Sequence, residues 1–222
     1  GFLSIPLERG DRILVSQAEY ASNVLAIMAA AKRVGATIDA IPDDGSGIVD
    51  VEALTNLLDE RVKVVSITHA PSQNGLLNPA AEIGQALRAA DSSAWYILDA
   101  CQSVGQMPLD APAIGADFIS ATGRKFLRGP RGTGFLWASE RALELEPAII
   151  DLHAAEWTAI DEYAISPGAT SCSSGLTMNA FDATWTGAPG TLSVTTSASN
   201  AAGVVGAGSP PILASRSFTS GM

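Results

Sequence analysis

Hydrophobic residues between positions 12 and 137 form short runs that alternate with segments in which apolar residues recur at helical spacing. The runs predict strands at Arg12–Ser16, Ala36–Ile41, Val62–Thr68, Trp95–Leu98, Asp117–Ala121 and Thr133–Trp137. The other segments predict helices at Ser22–Arg33, Val51–Leu58 and Ala80–Ala90. Val62–Thr68 is nearly all apolar, which is typical of a strand buried on both faces of a parallel sheet. The order of elements predicts an α/β domain with a mostly parallel sheet and right-handed crossovers.

Two polar residues stand where predicted helices begin. Asp50 follows the turn-forming segment Pro42–Gly47 and is predicted to cap the helix that starts at Val51. Asn78 is predicted to cap the next helix, with Pro79 in its first position, where a missing N–H costs nothing.

Composition and charge narrow the range of partners. The formal net charge is −10, from 13 Lys and Arg against 23 Asp and Glu, so binding of nucleic acid through a basic surface is not expected. No run of about 18 apolar residues occurs, and no membrane span is expected. Cys101 and Cys172 are too few for a disulfide framework, which favours a reducing cytoplasm.

The charged residues are distributed very unevenly along the chain. Residues 163–222 contain only Asp182 and Arg216 as charged residues, but nineteen Ser or Thr. We therefore predict a partial α/β domain over residues 1–162 and a low-complexity tail over 163–222. The tail is either a natural disordered segment or, as we favour, the product of a shifted reading frame. The start at Gly1, without an initiator Met, predicts that the chain begins within a longer protein.

Polar residues follow three of the predicted strands, at the edge of an open α/β sheet where ligands bind. Asp99 closes one strand, and Lys125 lies a short way beyond the next, directly after Thr122, Gly123 and Arg124. Pyridoxal phosphate requires a Lys for its Schiff base, an acid beside its pyridinium nitrogen and donors around its phosphate. This spacing predicts a pyridoxal-phosphate site.

Five ordered motifs make the prediction specific: Gln17–Asn23 (QAEYASN), Thr68–Gly75 (THAPSQNG), Asp99–Gly105 (DACQSVG), Ser120–Lys125 (SATGRK) and Gly129–Gly134 (GPRGTG). Together they resemble the class V aminotransferase family of fold-type I pyridoxal-phosphate enzymes. That family includes cysteine desulfurases, other C–S lyases and isopenicillin N epimerase-like proteins. The resemblance implies the fold-type I large domain, a small amino-acid substrate and, for a complete chain, a homodimer.

The resemblance also implies roles for individual residues. Lys125 forms the Schiff base and moves the proton at Cα, and Asp99 pairs with the pyridine nitrogen. Gln102 bonds to the ring hydroxyl, while Thr122 and Arg124 hold the phosphate in place of the Ser and His of many relatives.

The resemblance also implies that two further residues lie near the cofactor. Tyr20 falls where relatives stack an aromatic or His ring on the cofactor. Ser72 falls where desulfurases often place an Asn near the ring hydroxyl. Trp157 and Tyr163 are predicted to be packing residues.

The sequence departs from the family pattern in three places. An upstream phosphate-binding turn and a C-terminal Arg for the substrate carboxylate are both missing. Neither Cys101, inside the Asp99 motif, nor Cys172, in the tail, stands on a late mobile loop as a desulfurase nucleophile would. Persulfide chemistry is therefore disfavoured, and lyase, epimerase or transaminase chemistry stays open.

Several alternatives remain beside this reading. One is an inactive truncated fragment that holds neither cofactor nor substrate. Another is a nicotinamide-dependent oxidoreductase, which the absence of a Gly-x-Gly-x-x-Gly turn disfavours. A metal site is not expected, because His69 and His153 have no ligand-type residue at metal-binding spacing.

Overall fold

The computed structural model describes residues 1–148, 150 and 155–165. Its strands are β1 (Arg12–Ser16), β2 (Thr37–Ile41), β3 (Val62–Thr68), β4 (Trp95–Asp99), β5 (Phe118–Thr122), β6 (Gly134–Ala138), β7 (Ala155–Ala159) and β8 (Glu162–Ile165). Its α-helices are α1 (Ala21–Val34), α2 (Val51–Leu57), α3 (Ala80–Ala89) and α4 (Ala111–Ile114), with short 3-10 turns at Phe2–Ser4 and Arg141–Glu144.

The first six strands form one sheet in the order β2-β1-β3-β4-β5-β6. Strands β1 to β5 pair in parallel, and β6 pairs antiparallel with β5. Parallel neighbours need a crossover segment, whereas the turn between Thr122 and Gly134 is short enough to reverse the chain directly. The predicted α/β fold with a mostly parallel sheet is confirmed.

Apolar side chains cover both faces of this sheet. On β1, Leu14 packs in a buried cluster that includes Leu54 of α2 and Ile83 of α3. Its neighbour Ile13 packs in a second cluster that includes Ile27 of α1. Successive strand residues point to opposite faces, so an uninterrupted apolar run supplies both clusters at once.

The two predicted helix caps had different outcomes. The carboxylate of Asp50 accepts hydrogen bonds from two backbone N–H groups of the first turn of α2, as predicted. The prediction for Asn78 was wrong, because Pro79 occupies the capping position and makes no side-chain bond. The buried amide of Asn78 instead accepts from the N–H of Val49 and donates to the C=O of Thr68, each within 2.9 Å. Two buried backbone groups from distant segments outcompete a local cap, because they would otherwise lack partners.

Strands β7 and β8 form a separate antiparallel hairpin. The predicted boundary between residues 162 and 163 falls inside β8, and the rest of the predicted tail, with Cys172, lies outside the described residues. Packing was predicted for Trp157 and Tyr163, but these side chains are exposed, at 70% and 50%. Both stand on this two-stranded hairpin outside the six-stranded sheet, and the hydroxyl of Tyr163 donates to Glu146.

Two features are absent from the described segments, a membrane-spanning helix and a cluster of metal ligands. None of their helices has the length and apolar character needed to cross a bilayer. Nor do those segments hold a group of three or more His, Cys, Asp or Glu side chains arranged to bind a metal ion; His153 lies outside them.

Candidate cofactor site

The carboxyl ends of β3, β4 and β5 and the start of α1 surround one cavity of about 130 Å³ that is partly open to solvent. Its lining consists of Tyr20, Thr68, Ala70, Ser72, Gln73, Asp99, Cys101, Gln102, Thr122, Arg124 and Lys125. All seven residues that the sequence nominated for cofactor binding therefore lie around one space. The parallel strands bring them together because each strand delivers its following loop to the same edge of the sheet.

Asp99 ends β4 as a buried carboxylate, 8% exposed. Its Oδ1 accepts the N–H of Cys101 at 2.8 Å, and its Oδ2 accepts an amide N–H of Asn23 at 2.8 Å. Among the residues that the structure describes, Asp99 forms no salt bridge. Burying a carboxylate without a counter-charge is unfavourable. A cationic ring placed in the cavity would supply that charge, so Asp99 fits a protonated pyridine nitrogen.

Lys125 and Tyr20 approach each other across the cavity. The Nζ atom of Lys125 lies 5.9 Å from the centroid of the Tyr20 ring. The Tyr20 ring is 48% exposed although it stands beside a buried strand end. An amine and an exposed aromatic face on one cavity suit a flat carbonyl ligand, which the amine attacks and the ring stacks upon.

The turn that carries Lys125 is packed tightly against the turn that follows Asp99. Gly105 has φ +83°, and a Cβ added there would lie 2.9 Å from the carbonyl oxygen of Phe126. Only glycine tolerates both that backbone conformation and that approach. The packing therefore couples the position of Lys125 to that of Asp99.

Thr122 and Arg124 stand on the same turn, on either side of Gly123. The N–H of Gly123 donates to the C=O of Thr133 at 2.7 Å, which closes the turn. The Thr122 hydroxyl and the Arg124 guanidinium are both donors to phosphate oxygens. Gln102 and Ser72 line the cavity from the turns after β4 and β3 and offer further polar groups.

Three residues that hold the elements around the site together, Glu19, Thr68 and Asn23, had been quoted only as parts of motifs. Glu19 is buried and accepts hydrogen bonds at 2.7 Å from the hydroxyl of Ser16 and from both the N–H and the hydroxyl of Thr68. Burial raises the pKa of Glu19, and the nearby charge of Asp99 acts in the same direction. Asn23 is the third, through its bond to Asp99. Their positions in the motifs were the available signal, but spacing alone named no partner for them.

Burial favours the uncharged forms of two further side chains near the cavity, Cys101 and His69. Burial, with Asp99 nearby, raises the pKa of Cys101 to about 11, so its thiol is protonated at neutral pH. Burial lowers the pKa of His69 to about 4, and its Nδ1 lies 2.9 Å from Oγ of Ser103.

Comparison with known proteins places the chain in a family. The aminotransferase class-V family matches residues 2–165 of the 222, so the chain belongs to that family. A probable cysteine desulfurase of Methanothermobacter thermautotrophicus is 37% identical over 143 residues, covering 64% of this chain and 35% of the relative. A cysteine desulfurase of Escherichia coli O8 is 36% identical over 138 residues, covering 62% of this chain and 33% of the relative.

Solved structures show the same fold. The apo cysteine desulfurase of Thermococcus onnurineus NA1 matches with a TM-score of 0.69 and 26% identity, over 77% of this chain and 43% of that one. The cystine C–S lyase C-DES, in complex with cysteine persulfide, matches with a TM-score of 0.66 and 25% identity, over 76% and 47%. A second C-DES structure holds glycine covalently linked to its PLP cofactor. The chain thus spans about a third of the length of the curated relatives it matches.

Proposed function

We propose that this chain is the cofactor-binding part of a pyridoxal-phosphate enzyme that acts on an amino acid at Cα. The observation that carries the proposal is the buried Asp99, which forms no salt bridge within the described residues and faces the cavity that Lys125 also lines. Pyridoxal phosphate, when bound, supplies a carbonyl that joins to amines and a ring that accepts electrons from Cα. The polar groups of the cavity match three parts of that molecule. Asp99 suits its ring nitrogen and Lys125 its carbonyl, while Thr122 and Arg124 suit its phosphate.

The chain's own residues divide the work of binding and proton transfer. Lys125 supplies the amine that holds the cofactor and afterwards moves the proton at the substrate Cα. Asp99 keeps a proton on the ring nitrogen, and Tyr20 covers one face of the ring, excluding water from it. Thr122 and Arg124 would bind the phosphate, which would hold the ring nitrogen within reach of Asp99.

Two more side chains complete the proposed cofactor-binding site. Gln102 and Ser72 approach from neighbouring turns and are assigned to the ring hydroxyl. Both line the cavity with groups that donate and accept hydrogen bonds, as a phenol-like hydroxyl requires.

Sulfur-containing amino acids are the first substrate class to test. The matched relatives are named cysteine desulfurases and a cystine C–S lyase, which supports cleavage of a carbon–sulfur bond. The high pKa of Cys101 argues against using that thiol to carry a persulfide. We therefore favour a C–S lyase reaction over a desulfurase reaction in this part of the protein, with epimerase and transaminase reactions as alternatives.

The test is a visible absorption spectrum of the purified 222-residue chain with pyridoxal phosphate, before and after borohydride. We expect a visible band that borohydride bleaches and a cofactor mass added to the peptide containing Lys125. Lys125→Ala should lose both signals, and Lys32→Ala, which changes an exposed lysine of α1, should keep them. Absence of a band in folded wild-type chain would instead support the inactive-fragment alternative.

We also propose that the complete protein is a cytoplasmic homodimer. Helix α1 exposes Leu25 (64%) and Met28 (51%) one and two turns after Tyr20, an apolar surface beside the cavity. A second copy of the protein would cover it. Sedimentation equilibrium of the complete protein, as wild type and with Leu25→Glu and Met28→Glu together, tests the homodimer: we expect a dimer for wild type and a monomer for the variant, and a monomeric wild type would contradict it.

A further inference from the structure

Asn23 stands in the first turn of α1 but takes no part in capping that helix. The N-terminus of α1 has Tyr20 at its capping position and no side-chain capping bond. The side chain of Asn23 instead reaches across to β4, where its Nδ2 donates to Oδ2 of Asp99 at 2.8 Å. Asparagine has a modest helix propensity, so its presence there brings α1 little local benefit.

The two hydrogen bonds to Asp99 have different origins. The bond to Oδ1 comes from the backbone N–H of Cys101, which almost any residue at that position would supply. The bond to Oδ2 comes from a side chain that lies 76 positions away in the sequence. Without it, one backbone contact within the same turn would hold one oxygen and leave the plane of the carboxylate free to rotate.

The donor is itself held rigidly. The N–H of Asn23 donates to the C=O of Tyr20 at 2.9 Å. Just before the helix, the carboxylate of Glu19 accepts both the N–H and the hydroxyl of Thr68, which fastens the start of α1 to the end of β3. Side chains mounted on such a fixed element hold geometry better than side chains on a loop.

The chemistry of an amide suits this task. A neutral donor stabilises the carboxylate without neutralising it, so the negative charge stays available to a cation in the cavity. A Lys or Arg at position 23 would pair with Asp99 and compete with the cofactor.

We propose that Asn23 is a positioning residue that orients the Asp99 carboxylate toward the cofactor ring nitrogen. The proposal rests on the proposed function, because it assumes that pyridoxal phosphate occupies this cavity. It assigns to Asn23 a part in setting the protonation of the ring, which it does through Asp99 and without touching the cofactor.

The test uses the 222-residue chain loaded with pyridoxal phosphate labelled with ¹⁵N in the ring. The ¹⁵N chemical shift reports directly whether the ring nitrogen carries a proton, and its pH dependence gives the midpoint of titration. Asn23→Leu keeps the branched shape and removes the donor, while Asn23→Ser keeps a polar residue in the first helical turn but is too short to reach Asp99. Ser22→Ala, at an exposed neighbouring position of α1, is the matched control.

We expect both Asn23 variants to lower the titration midpoint by about one pH unit and to weaken pyridoxal-phosphate binding about tenfold, since a misoriented carboxylate pairs less well with the ring. The control should match wild type. An unchanged or raised midpoint in both variants, with the cofactor bound, would overturn the role of Asn23 alone. A wild-type chain that binds no cofactor would overturn the proposed function, and this proposal with it.

Discussion

The two aspartates at the ends of neighbouring strands, Asp99 as the last residue of β4 and Asp117 just before β5, are both buried but have different kinds of hydrogen-bond partner. The carboxylate of Asp117 accepts hydrogen bonds from the N–H of Tyr96, the hydroxyl of Ser139 and two groups of the Arg141 guanidinium. Asp99 accepts one backbone N–H and one neutral amide, and none of the salt bridges in the described part of the chain includes it.

The positions of the two residues explain the difference. Asp117 precedes β5, at the end of the sheet opposite the cavity, and a cation of the protein neutralises it there. Arg141 fills that role and also lies 4.4 Å above the Trp95 ring. Asp99 stands at the carboxyl end of β4, where a ligand has access. Asp117 thus has a permanent cation, whereas Asp99, which we propose binds the cofactor, is held by neutral donors.

The largest expected effect comes from removing the cation of the structural pair. Arg141→Ala leaves Asp117 buried without its counter-charge and should lower the free energy of unfolding by about 3 kcal/mol in urea titrations. Arg61→Ala, which breaks an exposed pair with Asp59, is the control and should cost less than about 1 kcal/mol. Equal losses of unfolding free energy in the two variants would contradict the structural role of the Arg141–Asp117 pair.

The free energy of unfolding should also depend on pH, because His69 is buried near the cavity. Because burial lowers the pKa of His69 from 6.5 to about 4, the unfolded chain binds a proton in that window that the folded chain does not. The free energy of unfolding should therefore fall as the pH drops from 6.5 to 4, by about 3 kcal/mol for this one group. Glu19, whose pKa is raised, acts in the opposite direction, since its contribution is present at low pH and is lost as the pH rises.

Urea titrations across that pH window check the prediction for His69. His69→Gln should flatten the dependence of the unfolding free energy on pH, whatever its effect on the absolute value. An unchanged slope would mean that His69 titrates normally in the folded chain.

The smallest expected change in stability comes from Asp99→Asn. The new amide still accepts the N–H of Cys101, and a flipped Asn23 side chain can pair with it, so the free energy of unfolding should change by less than about 1 kcal/mol. The affinity for pyridoxal phosphate should fall about a hundredfold, because the charge opposite the ring nitrogen is lost. Equilibrium binding measures this, with Asp110→Asn, at an exposed helix cap, as the control. A large loss of stability with unchanged affinity would make Asp99 a second structural aspartate.

Local patterns predicted much of the fold because they depend on nearby residues. Strands β1 and β3 begin and end as predicted, since their apolar runs are bounded by polar residues and turns. The cap at Asp50 was also predictable, because its partners are two and three residues away. The same reasoning was wrong in predicting that Asn78 caps α3, because the partners of its side chain are Val49 and Thr68 on other segments.

By itself, the sequence determined the order of β1 to β6 and α1 to α3 along the chain and the mostly parallel sheet, because apolar periodicity is a local property. The resemblance to a family supplied the seven site residues, all of which line one cavity. Only the tertiary structure decided which side chains pair with the two buried aspartates. Asn23 with Asp99 and Arg141 with Asp117 are contacts between distant segments, and burial is what makes each of them necessary. A carboxylate's partner depends on which groups the packed strands bring within hydrogen-bonding distance, and no spacing along the chain encodes that distance.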